Sequence, residues 1–159
     1  MKMDNNSLKY QRTAFSFIEL ILIVTFVGIF AVIAVPRFNY VILSKQKADI
    51  TARKIVTDLR RTRSLAISDA ANNTSGFSLS MIGGPYYTGY EIINLDTSVT
   101  VDSHNIDPEV SCKGHSLFEF TPLGNLKNGS GTELYVESDN KSITITIIPA
   151  TGTIKCVEN

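Results

Sequence analysis

The sequence predicts an α+β fold in which a long N-terminal helix, transmembrane and then amphipathic, packs on a C-terminal antiparallel β-sheet region. Three observations carry this. An apolar run fills residues 15–35, apolar residues then recur at helical spacings as far as Ala70, and beyond Gly76 the period changes to the alternation of strands. A chain of 159 residues suits one compact domain with an appendage better than two independent domains.

Residues 1–14 read as a short basic leader, with Lys2, Lys9 and Arg12 against Asp4. The apolar run 15–35 is 21 residues long, and Glu19 is its only charge. At 1.5 Å per residue it spans about 30 Å, the thickness of a bilayer core. Basic residues in front of it keep the N-terminus cytoplasmic and send the remainder across. Pro36 lacks an N–H and disturbs a helix, but Val41, Ile42, Ala48, Ala52, Ile55, Val56, Leu59 and Ala66 continue the helical spacing, so a kinked continuation is expected. The segments are therefore a transmembrane helix over 15–36 and an amphipathic helix over 37–71, ended by Asn72, Asn73, Ser75 and Gly76.

Charge is unevenly spread. Arg37, Lys45, Lys47, Arg53, Lys54, Arg60, Arg61 and Arg63 face only Asp49, Asp58 and Asp69 along the amphipathic helix, whereas residues 70–159 carry ten acids and four lysines. An acidic head does not attract phosphate backbones, so nucleic acid is not an expected partner. Arg60, Arg61 and Arg63 fit either a solvated helix face or salt bridges to neighbouring proteins or acidic lipid.

Residues 72–159 form the β-rich head. Strands are predicted over 77–82, 90–95, 99–101, 117–120, 133–137, 142–148 and 153–157, separated by Gly, Pro, Asn and Asp clusters. Cys112 and Cys156 match no zinc or redox spacing; in an exported head they read as one disulfide tying the last strand to the loop before Leu117, with two buried free thiols as the alternative. Tyr86, Tyr87 and Tyr90 suit either a contact patch or ordinary packing, and His104 and His115 read as surface or loop histidines. No metal or cofactor is expected. Ser103-His104 and His115-Ser116 are the adjacent Ser/His pairs, and adjacency defines no catalytic geometry, so no enzymatic activity is expected.

The informative string is Thr13-Ala14-Phe15-Ser16-Phe17-Ile18-Glu19-Leu20. A carboxylate at the centre of a membrane helix costs about 2.5–3.5 kcal/mol on insertion scales and less near an end. Cleavage before Phe15 would create a cation within about one turn of Glu19, able to pair with it or with the carboxylate of a neighbouring copy. On the residues alone, a plain signal anchor and a secretory signal cut after Ala34 remain alternatives.

The run from Ala14 to Leu20 resembles the prepilin cleavage and methylation motif of type IV pilins and type II secretion pseudopilins, and Gly28 and Pro36 stand where those helices carry a glycine and a proline. The resemblance implies cutting between Ala14 and Phe15 by a prepilin peptidase, N-methylation of Phe15, and an assembly role for Glu19. Ala14 departs from the usual glycine but is also small. The helix over 52–70, the segment 118–124 and the strands that follow resemble the H-type minor pseudopilins and related minor type IV pilins. This implies a minor pseudopilin of a type II secretion system, assembling into or at the tip of the pseudopilus, or alternatively a minor pilin serving assembly initiation, adhesion or DNA uptake. Implied partners are other pilins or pseudopilins, the prepilin peptidase, cytoplasmic membrane lipid and, in a secretion machine, an exported substrate. The implied location is the inner membrane, single-pass, with a periplasmic head.

Overall fold

The computed structural model describes residues 16–139 and 141–159, and within its helix the side chains of residues 33–41 lie outside the description. The chain divides into two units, Met1–Asn39 and Tyr40–Asn159. Helix α1, Phe17–Ser68, contributes to both and is helical through Pro36. In the first unit Ser16 opens the helix by accepting the amides of Glu19 and Leu20 at 2.9 and 3.2 Å on its carbonyl. The leader expected over 1–14 and the Ala14/Phe15 junction lie outside the described residues.

The second unit is the predicted α+β arrangement. Its strands are β1 (Phe77–Gly83), β2 (Tyr87–Asn94), β3 (Val99–Asn105), β4 (Ser111–Gly114), β5 (Leu117–Phe120), β6 (Glu133–Ser138), β7 (Lys141–Ile148) and β8 (Thr153–Glu158). They form two four-stranded sheets, ordered β3-β2-β1-β5 and β4-β6-β7-β8, and every paired neighbour is antiparallel. The helical part of α1 stops at Ser68, three residues short of the expected end at 71, and turns over 69–72 lead into the Asn73–Gly76 segment.

One face of α1 explains why the sheets gather on it. Ala48, Ala52, Ile55, Leu59 and Ala66 are wholly buried, at spacings that align one side of a helix. They share a core with Leu79 of β1, Ile92 of β2, Phe118 and Phe120 of β5, Leu134 and Val136 of β6, and Ile143, Ile145 and Ile147 of β7. Each fully buried aliphatic or aromatic side chain contributes roughly 1.5–3 kcal/mol.

Asn73 fixes the passage from helix to sheet. Buried, it donates from Nδ2 to the Gly76 carbonyl at 2.9 Å and to Asn94 Oδ1 at 3.0 Å, and accepts the Gly76 amide at 2.7 Å. Asp96 accepts the amides of Thr74 and Ser75 at 2.7 and 3.1 Å. The Ser75 side-chain hydrogen bond, with these amides, holds the Asp96 carboxyl below its usual range.

Backbone bonds prolong the ladders within each sheet, Met81 N–H to Ser116 O at 2.7 Å in the first and His115 N–H to Glu133 O at 3.1 Å and Ile147 N–H to Thr132 O at 2.8 Å in the second, while the Tyr87 hydroxyl of β2 ties the sheets together by donating to the Gly114 carbonyl of β4. At the C-terminal end of the helix, Arg63 Nε donates to the Gly124 carbonyl at 2.9 Å, which lies against Gly152 in the β7–β8 turn. Gly152 has φ +63°, and a Cβ there would collide with the Gly124 oxygen and meet Arg63. Gly152→Ala is therefore expected to destabilise the head by more than the roughly 1–2 kcal/mol of a left-handed backbone alone. Gly129→Ala, at φ +89° with no heavy atom within 4 Å of its Cβ, isolates that backbone contribution. Urea midpoints of the two variants check this, and equal shifts would remove the packing argument.

Candidate functional site

Two regions carry the chemistry singled out in the sequence. The first is the N-terminal stretch of α1. Every described side chain from Ser16 to Val32 is exposed, including Phe17, Ile18, Leu22, Phe26 and Phe30, so that apolar surface is left open among the described residues. Glu19 lies in the first turn, and no heavy atom stands within 4 Å of a Cβ built on Gly28. Thr25 donates its hydroxyl to the Ile21 carbonyl one turn back, which keeps that polar group satisfied within the helix. A shallow apolar groove follows Leu20, Val24, Gly28 and Val32 on one side. Among the described residues no helix is long and apolar enough to cross a membrane. The run 15–35 extends past the described side chains at both ends.

The second region is a polar seam between α1 and the β2–β3 hairpin. Asp58 is only 7% exposed, and Tyr90 Oη donates to its Oδ2 at 2.6 Å. Burial, reinforced by that hydrogen bond to Asp58, pushes the Tyr90 hydroxyl far above its ordinary pKa, so it remains a donor at physiological pH. His104 Nε2 lies 3.6 Å from Asp58 Oδ2 and 3.5 Å from Asp102 Oδ2, with its ring edge-on to Tyr90 at 5.4 Å between centroids. Arg61 binds Asp102 through Nη1, and this hydrogen bond is the main reason the Asp102 carboxyl sits below its usual range. Lys47 grips Asp107 at 3.1 Å and Glu109 at 2.9 Å, just beyond β3.

These contacts revise several expectations. His104 belongs to β3, which runs four residues past the predicted strand end to Asn105, and it is a partner of two aspartates. His115 does lie between strands, its Nδ1 3.4 Å from the Glu133 carbonyl. Of the arginine cluster, Arg61 and Arg63 are internal ties, whereas Arg60 is exposed. Tyr90 is core and Tyr87 donates to the Gly114 carbonyl at 2.6 Å, which leaves Tyr86 as the exposed member of the expected aromatic patch. Strand β4 was not expected: four residues reading Ser-Cys-Lys-Gly have no strand-like alternation to announce them.

The cysteines are free. Cys112 is buried in β4 and Cys156 exposed in β8, at opposite edges of a sheet with β6 and β7 between them. Three strand spacings of about 4.8 Å far exceed the 7 Å limit on the Cα separation of a disulfide, so the expected Cys112–Cys156 bond does not form in this fold. The compartment argument spoke to redox conditions; strand order, invisible in the sequence, decides the distance.

No protein-family model matches the chain, and no curated protein matches it. Among solved structures, that of the type IV minor pilin FimU from Pseudomonas aeruginosa strain PAO1 is similar, with a TM-score of 0.57 and 18% sequence identity over 69% of this chain and 91% of that one. At that identity the likeness is one of fold, and the fold is type IV pilin-like.

Two outcomes are expected here. Tyr90→Phe removes the hydroxyl donor of a buried carboxylate and should lower stability by about 1–3 kcal/mol, read from denaturant unfolding; an unchanged midpoint would show that Asp58 finds another donor. In the native protein one thiol, Cys156, should react with a maleimide, because burial pushes the Cys112 thiol up to about 12 and screens it from reagent. Peptide mapping after labelling identifies it, and a disulfide or two fast thiols would contradict the sheet order.

Proposed function

We propose that this chain is a minor subunit of a type IV pilin-class filament, held in the cytoplasmic membrane by the apolar segment of α1 and displaying its head on the outer side. The single observation that carries this reading is the uncovered apolar stretch 17–32 with its one carboxylate, on a helix whose later turns are the core of a pilin-like head. Such a surface is stable in water only when something covers it. Lipid supplies that before assembly, and the helices of other pilins supply it afterwards.

In this reading the peptidase cuts between Ala14 and Phe15 and the new Phe15 amine is methylated. Glu19 then pairs with the amine of an adjoining subunit, which neutralises a charge in the membrane and sets the register between subunits. Gly28 and Pro36 shape the packed helix. The sequence resemblance put a type II secretion pseudopilus first. The likeness to FimU, itself a type IV minor pilin, favours a type IV pilus, and the pilus is our assignment. The head's role is then interaction with other pilins, not catalysis or capture of nucleic acid.

Mass spectrometry of the membrane form should show loss of residues 1–14 and one added methyl on Phe15; an intact leader, or an N-terminus at Val35, rejects the processing step. Glu19→Gln should keep insertion and cleavage but lose most co-purification with partner pilins. Wild-type co-purification by a normally processed variant would reduce Glu19 to a tolerated interfacial acid. The identity of the co-purifying subunits separates the machines: pilus alignment and retraction components support the pilus, and a secretion secretin with other pseudopilins overturns it in favour of the pseudopilus.

A further inference from the structure

The second sheet ends on an open strand. Among the described residues β8 pairs with β7 on one side and with no strand on the other. An open edge presents a row of backbone donors and acceptors and is a template for another strand. Here the edge borders a cleft of about 510 Å³ between β8 and α1. Its floor is formed by Val56 and Ile143, both almost fully buried; its helix wall carries Asp49, Arg53, Thr57 and Arg60, and its strand wall Cys156 and Glu158.

The charges lining the cleft are not balanced alike. Arg53 is bound to Asp49 at 2.8 Å and Glu158 is held by Lys141 at 3.3 Å, but Arg60 has no hydrogen-bond or ion-pair partner among the described residues. An unspent guanidinium beside an apolar floor and an open strand edge defines what would complete the site. A strand added to β8 would lie about 4.8 Å beyond it, with alternate side chains turned toward α1. Val56 and Arg60 are one helical turn apart, about 6 Å along the axis, close to the roughly 6.6 Å between residues i and i+2 of a strand.

We propose that this cleft is a strand-addition site for an extended segment of a partner protein carrying an apolar residue at one position and a carboxylate two positions along. The apolar side chain lies over the cleft floor at Val56 and Ile143, the carboxylate pairs with Arg60, and the backbone extends the second sheet. The site lies wholly within residues 40–159 and does not depend on the filament reading, so either can fail without the other.

Cys156 is a built-in reporter, because its exposed thiol lines the cleft while Cys112 is buried. The test uses the full chain in detergent micelles and three capped pentapeptides at millimolar concentration: Thr-Val-Thr-Glu-Thr, Thr-Val-Thr-Lys-Thr and Thr-Val-Pro-Glu-Thr. The rate of Cys156 alkylation is measured with and without each. The glutamate peptide should slow alkylation about tenfold more than the lysine peptide, a difference of about 1.4 kcal/mol. The proline peptide, which lacks the central N–H and resists a regular ladder there, should protect weakly. In Arg60→Glu, whose exposed side chain leaves folding intact by far-ultraviolet circular dichroism, the preference should reverse toward lysine. Equal protection by the glutamate and lysine peptides, no protection at all, or an unchanged preference in Arg60→Glu would each overturn the proposal.

Discussion

Everything in the head depends on one narrow face of α1. Two four-stranded sheets meet over Ala48, Ala52, Ile55, Leu59 and Ala66, and the core residues of both sheets gather with them in a single cluster. A domain this small is marginal on its own apolar area, so a helix that serves both sheets at once is the economical solution. That choice constrains its surroundings. The strands must present alternate apolar residues inward, as β6 and β7 do. Polar groups on the margins of the same face must find partners, which is why Asp58 and Thr62, though buried, are both hydrogen-bonded.

The margins explain the charge pattern. Read linearly, a basic helix precedes an acidic head and suggests a surface awaiting an external anion. Folded, much of that complementarity is spent internally: Arg61 meets Asp102, Lys47 meets Asp107 and Glu109, and Arg63 reaches a backbone carbonyl. What remains outward is a smaller set, in which Lys45, Lys54 and, beside β8, Arg60 have no ion-pair partner among the described residues. Segment charge sums locate the complementary parts of a fold before they reveal anything about partners.

Seven of the eight strands among the described residues were legible because their residues alternate or are β-branched, and α1 was legible because its apolar spacing persists past Pro36. What sequence could not supply was adjacency. The length of β3 depended on pairing Ser103, His104 and Asn105 with β2, where an otherwise polar run gains its strand character from the partner. The separation of Cys112 and Cys156 depended on β4 joining β6 across from β8. The buried role of Asp58 and Tyr90 required helix and sheet to be superposed, since neither residue type announces burial in its own segment.

The N-terminal part of α1 obeys different rules from the rest. Among the described residues the core begins at Ala48, so nothing from 16–32 enters the packing that stabilises the head. An apolar stretch that adds nothing to folding in water, and exposes it to aggregation, needs some other environment to make it favourable. Glu19 sharpens the point. In a protein core a carboxylate here would be an unpaired polar group to be removed, and in bulk lipid it is a penalty. It becomes an asset only where a cation can be brought to it, and the one cation that Ala14–Phe15 cleavage would create lies within about one turn of that position. A helix that divides its labour this way, one part shaped by sheets and the other by an environment outside the chain, is what a pilin-like subunit requires.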